Sequence, residues 1–215
     1  VSSDGKGLLF IVLGIIGIFV LLIAGFNAYN YFTTAAVVSV DELHQENLAG
    51  DLDEDEGYTY NGYSFVKAYG LWRTEMNKFG TPLKIPLHFG PKELEAIPIS
   101  GTLDSAFNDG DKVYIAIDPD VQNKYYTLAI SELSFNTVKG MDRLPIGSCT
   151  KENWACDNRT IISCDNTQGK PVIELALANE TTIELKGTCI KISGQEYGIV
   201  KAADRILYQW YGVMG

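Results

Sequence analysis

The stretch VYIAIDPDVQNKYYTLAISELSFNTVKG, residues 113–140, decides the fold. Its first five residues are mostly β-branched or aromatic, which predicts a buried strand over 113–117. Apolar residues then recur at helical spacing, which predicts a helix from about Val121 to Lys139 with Gly140 as its C-cap. A strand that leads directly into a helix indicates a domain in which helices pack on a sheet.

Strands are predicted on both sides of this unit. Upstream, Asn61-Gly62 separates two short strand-like runs, and both residues accept the positive φ angles of a tight hairpin. The remaining predicted elements are strands over 71–76, 83–89, 160–164, 171–176, 181–186 and 189–193, and a closing helix over 198–211. The order strands, helix, strands, helix predicts an α+β domain, a mostly antiparallel sheet with two principal helices packed on it.

An apolar run of 19 residues without a charge covers residues 8–26. A helix of that length measures about 28 Å, close to the ~30 Å hydrocarbon thickness of a bilayer. We therefore expect a transmembrane helix and its aromatic interface over 8–32. Because Lys6 precedes the run and basic residues are missing behind it until Lys67, residues 1–7 are expected in the cytoplasm and the rest outside the cell. A signal peptide cleaved near Ala35 is the alternative.

Residues 33–57 are predicted to be an acidic stalk that leads to a folded extracytoplasmic domain over 58–215. The chain has 27 acidic and 17 basic residues, a formal net charge of −10, and eight of the carboxylates lie in this segment without a Lys or Arg. Such a segment repels itself and stays solvated, apart from a short predicted helix over 40–49. A calcium loop is disfavoured, since Glu56 stands where the EF-hand needs glycine. The net charge argues against nucleic acid as a partner.

Four cysteines predict two disulfides, because an even number of cysteines beyond an outward-facing anchor is typical of an oxidising compartment. Three pairings are possible, and a reduced set of buried cysteines is the alternative. We favour Cys149–Cys156, which would close a small surface loop, and Cys164–Cys189, which would link two strands. A structural zinc site is poorly supported, since CxxC spacing is missing.

Two N-x-Thr sequences, at Asn158 and Asn179, predict N-glycosylation in exposed turns. Asp118 and Asp120 follow the strand over 113–117 and are the best paired carboxylates. We favour a helix-capping role for them over metal binding or acid–base chemistry, because aspartate is common at helix N-termini. His88 is expected to be a partly buried or surface residue. The sequence identifies no catalytic residue and no cofactor.

The strings VYIAIDPD, YYTLAISELSF, CTKENWAC and DRILYQWYGVM resemble those of uncharacterised single-span membrane-anchored proteins of small-genome archaea, over most of residues 58–215. The resemblance implies a membrane-tethered outer domain and brings no activity or catalytic residues with it.

The leading functional hypothesis is a membrane-anchored extracytoplasmic binding or structural module whose partner is an envelope or surface protein. One alternative is a pilin-like filament subunit, because Gly5-Lys6-Gly7 would allow processing before Leu8. Another is a metal-assisted hydrolase that uses Asp118 and Asp120.

Overall fold

The computed structural model describes residues 4–33, 39–78 and 80–215, and the chain divides into two compact units between Ser39 and Val40. The first unit contains helix α1, Asp4–Thr33. Its described side chains, from Leu13 to Ala28, are all exposed. Cleavage near Ala35 concerns residues outside the described part of the chain.

Across the described residues, no helix has both the length and the apolar character needed to cross a membrane. The transmembrane helix expected over 8–32 stays a prediction.

The second unit begins with helix α2, Val40–Ala49, which packs on an antiparallel four-stranded sheet in the order β1-β2-β3-β4. These strands are β1 Gly57–Tyr60, β2 Tyr63–Ala68, β3 Leu71–Lys78 and β4 Thr81–Leu87. The predicted hairpin at Asn61-Gly62 is confirmed, and both residues have positive φ angles of 46° and 83°.

Most of the predicted acidic stalk belongs to this unit and does not form a solvated spacer. Asn47 of α2 is buried, and its Nδ2 donates to the Tyr58 carbonyl at 3.0 Å and to Ser64 Oγ at 2.7 Å. Asp41 forms an ion pair with Lys84 at 2.6 Å. Helix α2 therefore contacts the sheet through partners that the composition of the segment alone does not reveal.

A second sheet has six strands in the order β5-β9-β10-β8-β6-β7. Strands β9 and β10 are antiparallel, and the other four neighbouring pairs are parallel. The strands are β5 Ile99–Leu103, β6 Lys112–Ile117, β7 Leu144–Cys149, β8 Val172–Leu177, β9 Thr182–Gly187 and β10 Cys189–Gly194. Short 3₁₀ helices span Pro91–Glu93, Ser105–Asn108 and Trp154–Cys156.

The α+β class is confirmed, but the strands form two sheets, and the second sheet is mixed. Its parallel pairs arise because helix α3, Lys124–Met141, carries the chain from the end of β6 back to the start of β7. Strands β5 and β7 were not predicted. The predicted strand over 160–164 forms isolated bridges only.

Helix α3 begins and ends at positions that differ from the prediction. Its N-cap is Asn123, whose Oδ1 accepts from the backbone N–H groups of Tyr125 and Tyr126, so Asp118 and Asp120 do not cap it. The helix continues through Gly140 to Met141. Glycine is needed there for packing, since a Cβ at this position would lie 2.6 Å from the ring of Tyr211.

Helix α4, Tyr197–Trp210, forms the centre of the second unit. It packs on the six-stranded sheet and on α3. It also reaches the four-stranded sheet, where the Tyr208 and Phe65 rings meet edge to face with their centroids 5.6 Å apart. The main hydrophobic core therefore forms around α4 and includes residues of both sheets.

Candidate functional site

All four cysteines are paired as the favoured prediction has it, Cys149–Cys156 and Cys164–Cys189. The first bond closes the loop that follows β7, and the second ties the segment before β8 to the start of β10. The predicted disulfide framework is confirmed.

The two predicted glycosylation sites are accessible. Asn158 is exposed in the loop after the Cys149–Cys156 disulfide, and Asn179 is exposed between β8 and β9. This exposure fits the requirement of the modification, and glycosylation itself stays a prediction.

The structure brings Asp118 and Asp120 together around a lysine. Nζ of Lys151 lies 2.9 Å from Asp118 Oδ1 and 2.7 Å from Asp120 Oδ2. Asn153 Nδ2 donates to Asp120 Oδ1 at 2.8 Å. The hydrogen bond from Lys151 lowers the pKa of Asp118. Because Lys151 and Asn153 belong to the Cys149–Cys156 loop, the aspartates hold this loop against the β6–α3 connection.

The Lys151 ammonium therefore lies between the two carboxylates, at the position that the metal ion of a metal-assisted hydrolase would occupy. Within the described residues, no group of three or more His, Cys, Asp or Glu side chains is placed to hold a metal ion. The geometry of Asp118 and Asp120 fits a structural role for the pair.

A second carboxylate pair, which the sequence analysis missed, lies inside the unit. His88 directly follows β4, Glu132 lies on α3 and Asp204 lies on α4. Nδ1 of His88 is hydrogen-bonded to Glu132 Oε1. The Asp204 side chain is fully buried, and its Oδ2 accepts from the Phe89 N–H at 3.0 Å. These three residues are called the buried cluster below.

Burial and the neighbouring Glu132 set the electrostatics of Asp204. Burial raises the pKa of Asp204 well above its ordinary value, and the charge of Glu132 and a hydrogen bond with it raise it further. The site therefore favours the protonated form of Asp204. Glu132 Oε2 and Asp204 Oδ1 are both buried, and neither accepts a hydrogen bond from a donor group in the described part of the chain.

Two members of the buried cluster, His88 and Glu132, line a cleft between β4 and α3. The cleft has a volume of about 390 Å³. The surface that lines the cleft is mostly apolar. Besides His88 and Glu132, the lining residues are Leu71, Pro86, Leu128, Ser131, Phe135, Asn136 and Lys139. Pockets of this size and character are typical of small-molecule sites.

The sequence hides the buried cluster because its members are far apart in the chain. His88 and Glu132 are 44 residues apart, and no motif connects them to Asp204. One signal was present: Glu132 stands between Ala129 and Leu133 in the predicted helix, so it interrupts a stretch that otherwise supplies buried apolar side chains. A carboxylate on the buried side of a helix needs a partner or a proton.

Comparison of the chain with models of known protein families, with curated proteins and with solved structures gives no match. The similarity to single-span archaeal proteins therefore stays a prediction.

Proposed function

We propose that this chain is a non-enzymatic extracytoplasmic binding module, held at the membrane by its N-terminal helix, and that its ligand occupies the cleft between β4 and α3. The observation that carries the proposal is the buried cluster of His88, Glu132 and Asp204, of which the first two line a mostly apolar cleft. Buried ionisable groups cost stability, and strongly perturbed carboxyls in a cleft are typical of functional sites.

The side chains in the cleft favour binding over catalysis. The Ser131 hydroxyl, a potential nucleophile that lines the cleft, donates to the Thr127 carbonyl of its own helix at 3.0 Å. Phe135 is 70% exposed, so one wall of the cleft is an apolar surface that a ligand can cover.

The extracytoplasmic location is supported by both disulfides, which persist in oxidising compartments. Anchorage is supported by the uncharged run over 8–26 and by the exposure of the described side chains of α1, such as Leu21 at 72%. Exposed apolar side chains of this density gain free energy when lipid covers them. We propose an envelope or surface protein, or a small molecule delivered by one, as the source of the ligand.

The location is tested by fractionating cells that express the full chain. We expect the protein in the membrane fraction, released only by detergent. We also expect a membrane-impermeant maleimide to label its thiols only after a reductant is added. A protein that stays in the soluble fraction with all four thiols reactive would contradict the proposal.

The binding site is tested by site-specific photocrosslinking in the full chain. A photoreactive amino acid at Phe135 should give a discrete adduct with a cellular component. The same substitution at Tyr69, which is 74% exposed and lies outside the cleft, serves as the control. Equal crosslinking at both positions, or none at Phe135, would show that the cleft is not the binding site.

A further inference from the structure

We propose that the ligand of the cleft is a carboxylate on an apolar body, whose oxygens meet the imidazole of His88 and the ammonium of Lys139. This inference rests on the binding function proposed above and names its ligand class.

The buried cluster fixes which atom of His88 a ligand can use. Glu132 Oε1 accepts from Nδ1, so Nε2 is the polar atom of the ring that remains for the cleft. The His88 side chain is 31% exposed, whereas that of Glu132 is only 10% exposed. A ligand in the cleft therefore has better access to the His88 imidazole than to the Glu132 carboxylate.

Glu132 does not make the cleft a cation site, because neither of its oxygens is open to a ligand. Oε1 is bonded to His88, and Oε2 is buried. A ligand anion at Nε2 and Glu132 at Nδ1 would lie on opposite sides of the imidazole ring.

The rim of the cleft adds positive charge. Lys139 lines the cleft in the last turn of α3. Among the described residues, no carboxylate forms an ion pair with it. Lys78 Nζ donates to the carbonyl groups of Lys139 and Gly140 at 3.0 and 2.9 Å, so a second ammonium group lies at the same end of the helix. The Lys139 ammonium, which lines the cleft, favours an anion over an ammonium or a neutral head group.

The apolar part of the ligand is indicated by the walls. Leu71, Leu128 and Phe135 line the cleft, and Phe135 presents most of its ring to solvent. Covering this ring removes apolar area from water, which stabilises a complex without any further polar contact. A hydrophilic anion such as acetate would leave the walls uncovered.

The inference is tested with three probes that share one apolar body: 4-phenylbutyrate, 4-phenylbutanol and 4-phenylbutylamine. Binding to the full chain in detergent is measured by equilibrium dialysis near pH 6. We expect the carboxylate to bind about tenfold more tightly than either other probe, since a charge-assisted hydrogen bond is stronger than a neutral one. Equal affinities, a preference for the amine, or no binding of the carboxylate would overturn the inference.

Two variants assign the contacts. His88→Gln should weaken 4-phenylbutyrate about tenfold and leave 4-phenylbutanol unchanged, because glutamine keeps a polar side chain without the charge. Phe135→Ser should weaken all three probes. Lys186→Gln is the matched control, since Lys186 is exposed and pairs with Asp165 outside the cleft.

The outcomes separate the two proposals. If Phe135→Ser leaves the affinity of every probe unchanged, the cleft is not the binding site and the proposed function fails. If Phe135→Ser weakens all probes while His88→Gln does not distinguish their head groups, the cleft is a binding site and only the carboxylate inference fails.

Discussion

Two carboxylate pairs in this molecule have opposite electrostatics. Asp118 and Asp120 lie at the surface around Lys151, and the pKa of Asp118 is lowered. Glu132 and Asp204 lie inside between α3 and α4, and the pKa of Asp204 is raised. A cation offsets the charge of the first pair, and burial disfavours the charged form of Asp204 in the second.

The difference shows why proximity of two acids does not identify a site. Only the inner pair connects a buried group to a solvent-accessible ring, through His88. The outer pair holds a disulfide loop in place. Changes that remove the cation, the proton or the loop should therefore affect the two pairs differently.

The largest expected effect is that of Asp204→Ala. It removes the acceptor of the Phe89 N–H and the partner of Glu132 in a fully buried position, so we expect the free energy of unfolding to fall by about 2–4 kcal/mol. Asp204→Asn, which mimics the protonated carboxyl, should cost less than about 1 kcal/mol. Urea denaturation measures both variants, with Asp120→Ala as the surface control. Equal losses for Asp204→Ala and Asp204→Asn would contradict a preference of this site for the protonated carboxyl.

The next effect is that of removing the Cys149–Cys156 disulfide by a double substitution to Ala. The bond closes a loop with a sequence separation of 7, for which chain entropy gives a loss of about 2 kcal/mol. Because Lys151 lies in this loop, the pKa of Asp118 should return toward its ordinary value, while that of Asp204 stays raised. NMR titration of the carboxyl carbons measures both. A return of the Asp204 pKa to its ordinary value would mean that the two pairs are coupled.

The pH dependence of stability should have opposite signs at the two pairs. The raised pKa of Asp204 means that its contribution is fully present below the ordinary carboxyl value of 3.8 and is lost as the pH rises through the folded pKa, at no more than about 1.4 kcal/mol per pH unit. The contribution of Asp118 is present above 3.8 and is lost as the pH falls through its lowered pKa. We expect Asp204→Asn to reduce the decrease in unfolding free energy as the pH rises. Asp118→Asn should reduce the decrease in unfolding free energy as the pH falls. An Asp204→Asn profile that matches the wild type would rule out the buried proton.

The smallest effect is that of Lys151→Gln. Exposed ion pairs add little to stability, so the expected result is a rise in the pKa of Asp118 with almost no change in unfolding. NMR titration of Asp118 detects the rise, and Lys186→Gln is the control at another exposed ion pair. An unchanged pKa would mean that Lys151 does not hold the aspartates in solution.

Local patterns predicted much of the fold. The Asn61-Gly62 turn, the strand over 113–117 and both long helices depend on short-range rules of turn chemistry and periodicity. The cysteine pairing followed from the same local spacing. The mixed sheet did not, because hydrophobic patterns do not record which strands become neighbours or in which direction they run.

The candidate site was the least predictable part. His88, Glu132 and Asp204 come from three elements that only the tertiary fold brings together, and the shifted pKa of Asp204 depends on burial. The acidic segment over 40–57 failed as a predicted spacer for a related reason, since its partners, such as Lys84, lie elsewhere in the sequence.

The position of α4 in the chain has a consequence for biogenesis. Residues 197–210 follow every described strand, yet they supply the centre of the core that both sheets share. A nascent chain that has produced only the strands cannot bury their apolar faces, so native folding must await synthesis of this helix. That delay would leave the four thiols accessible to oxidation until the helix docks.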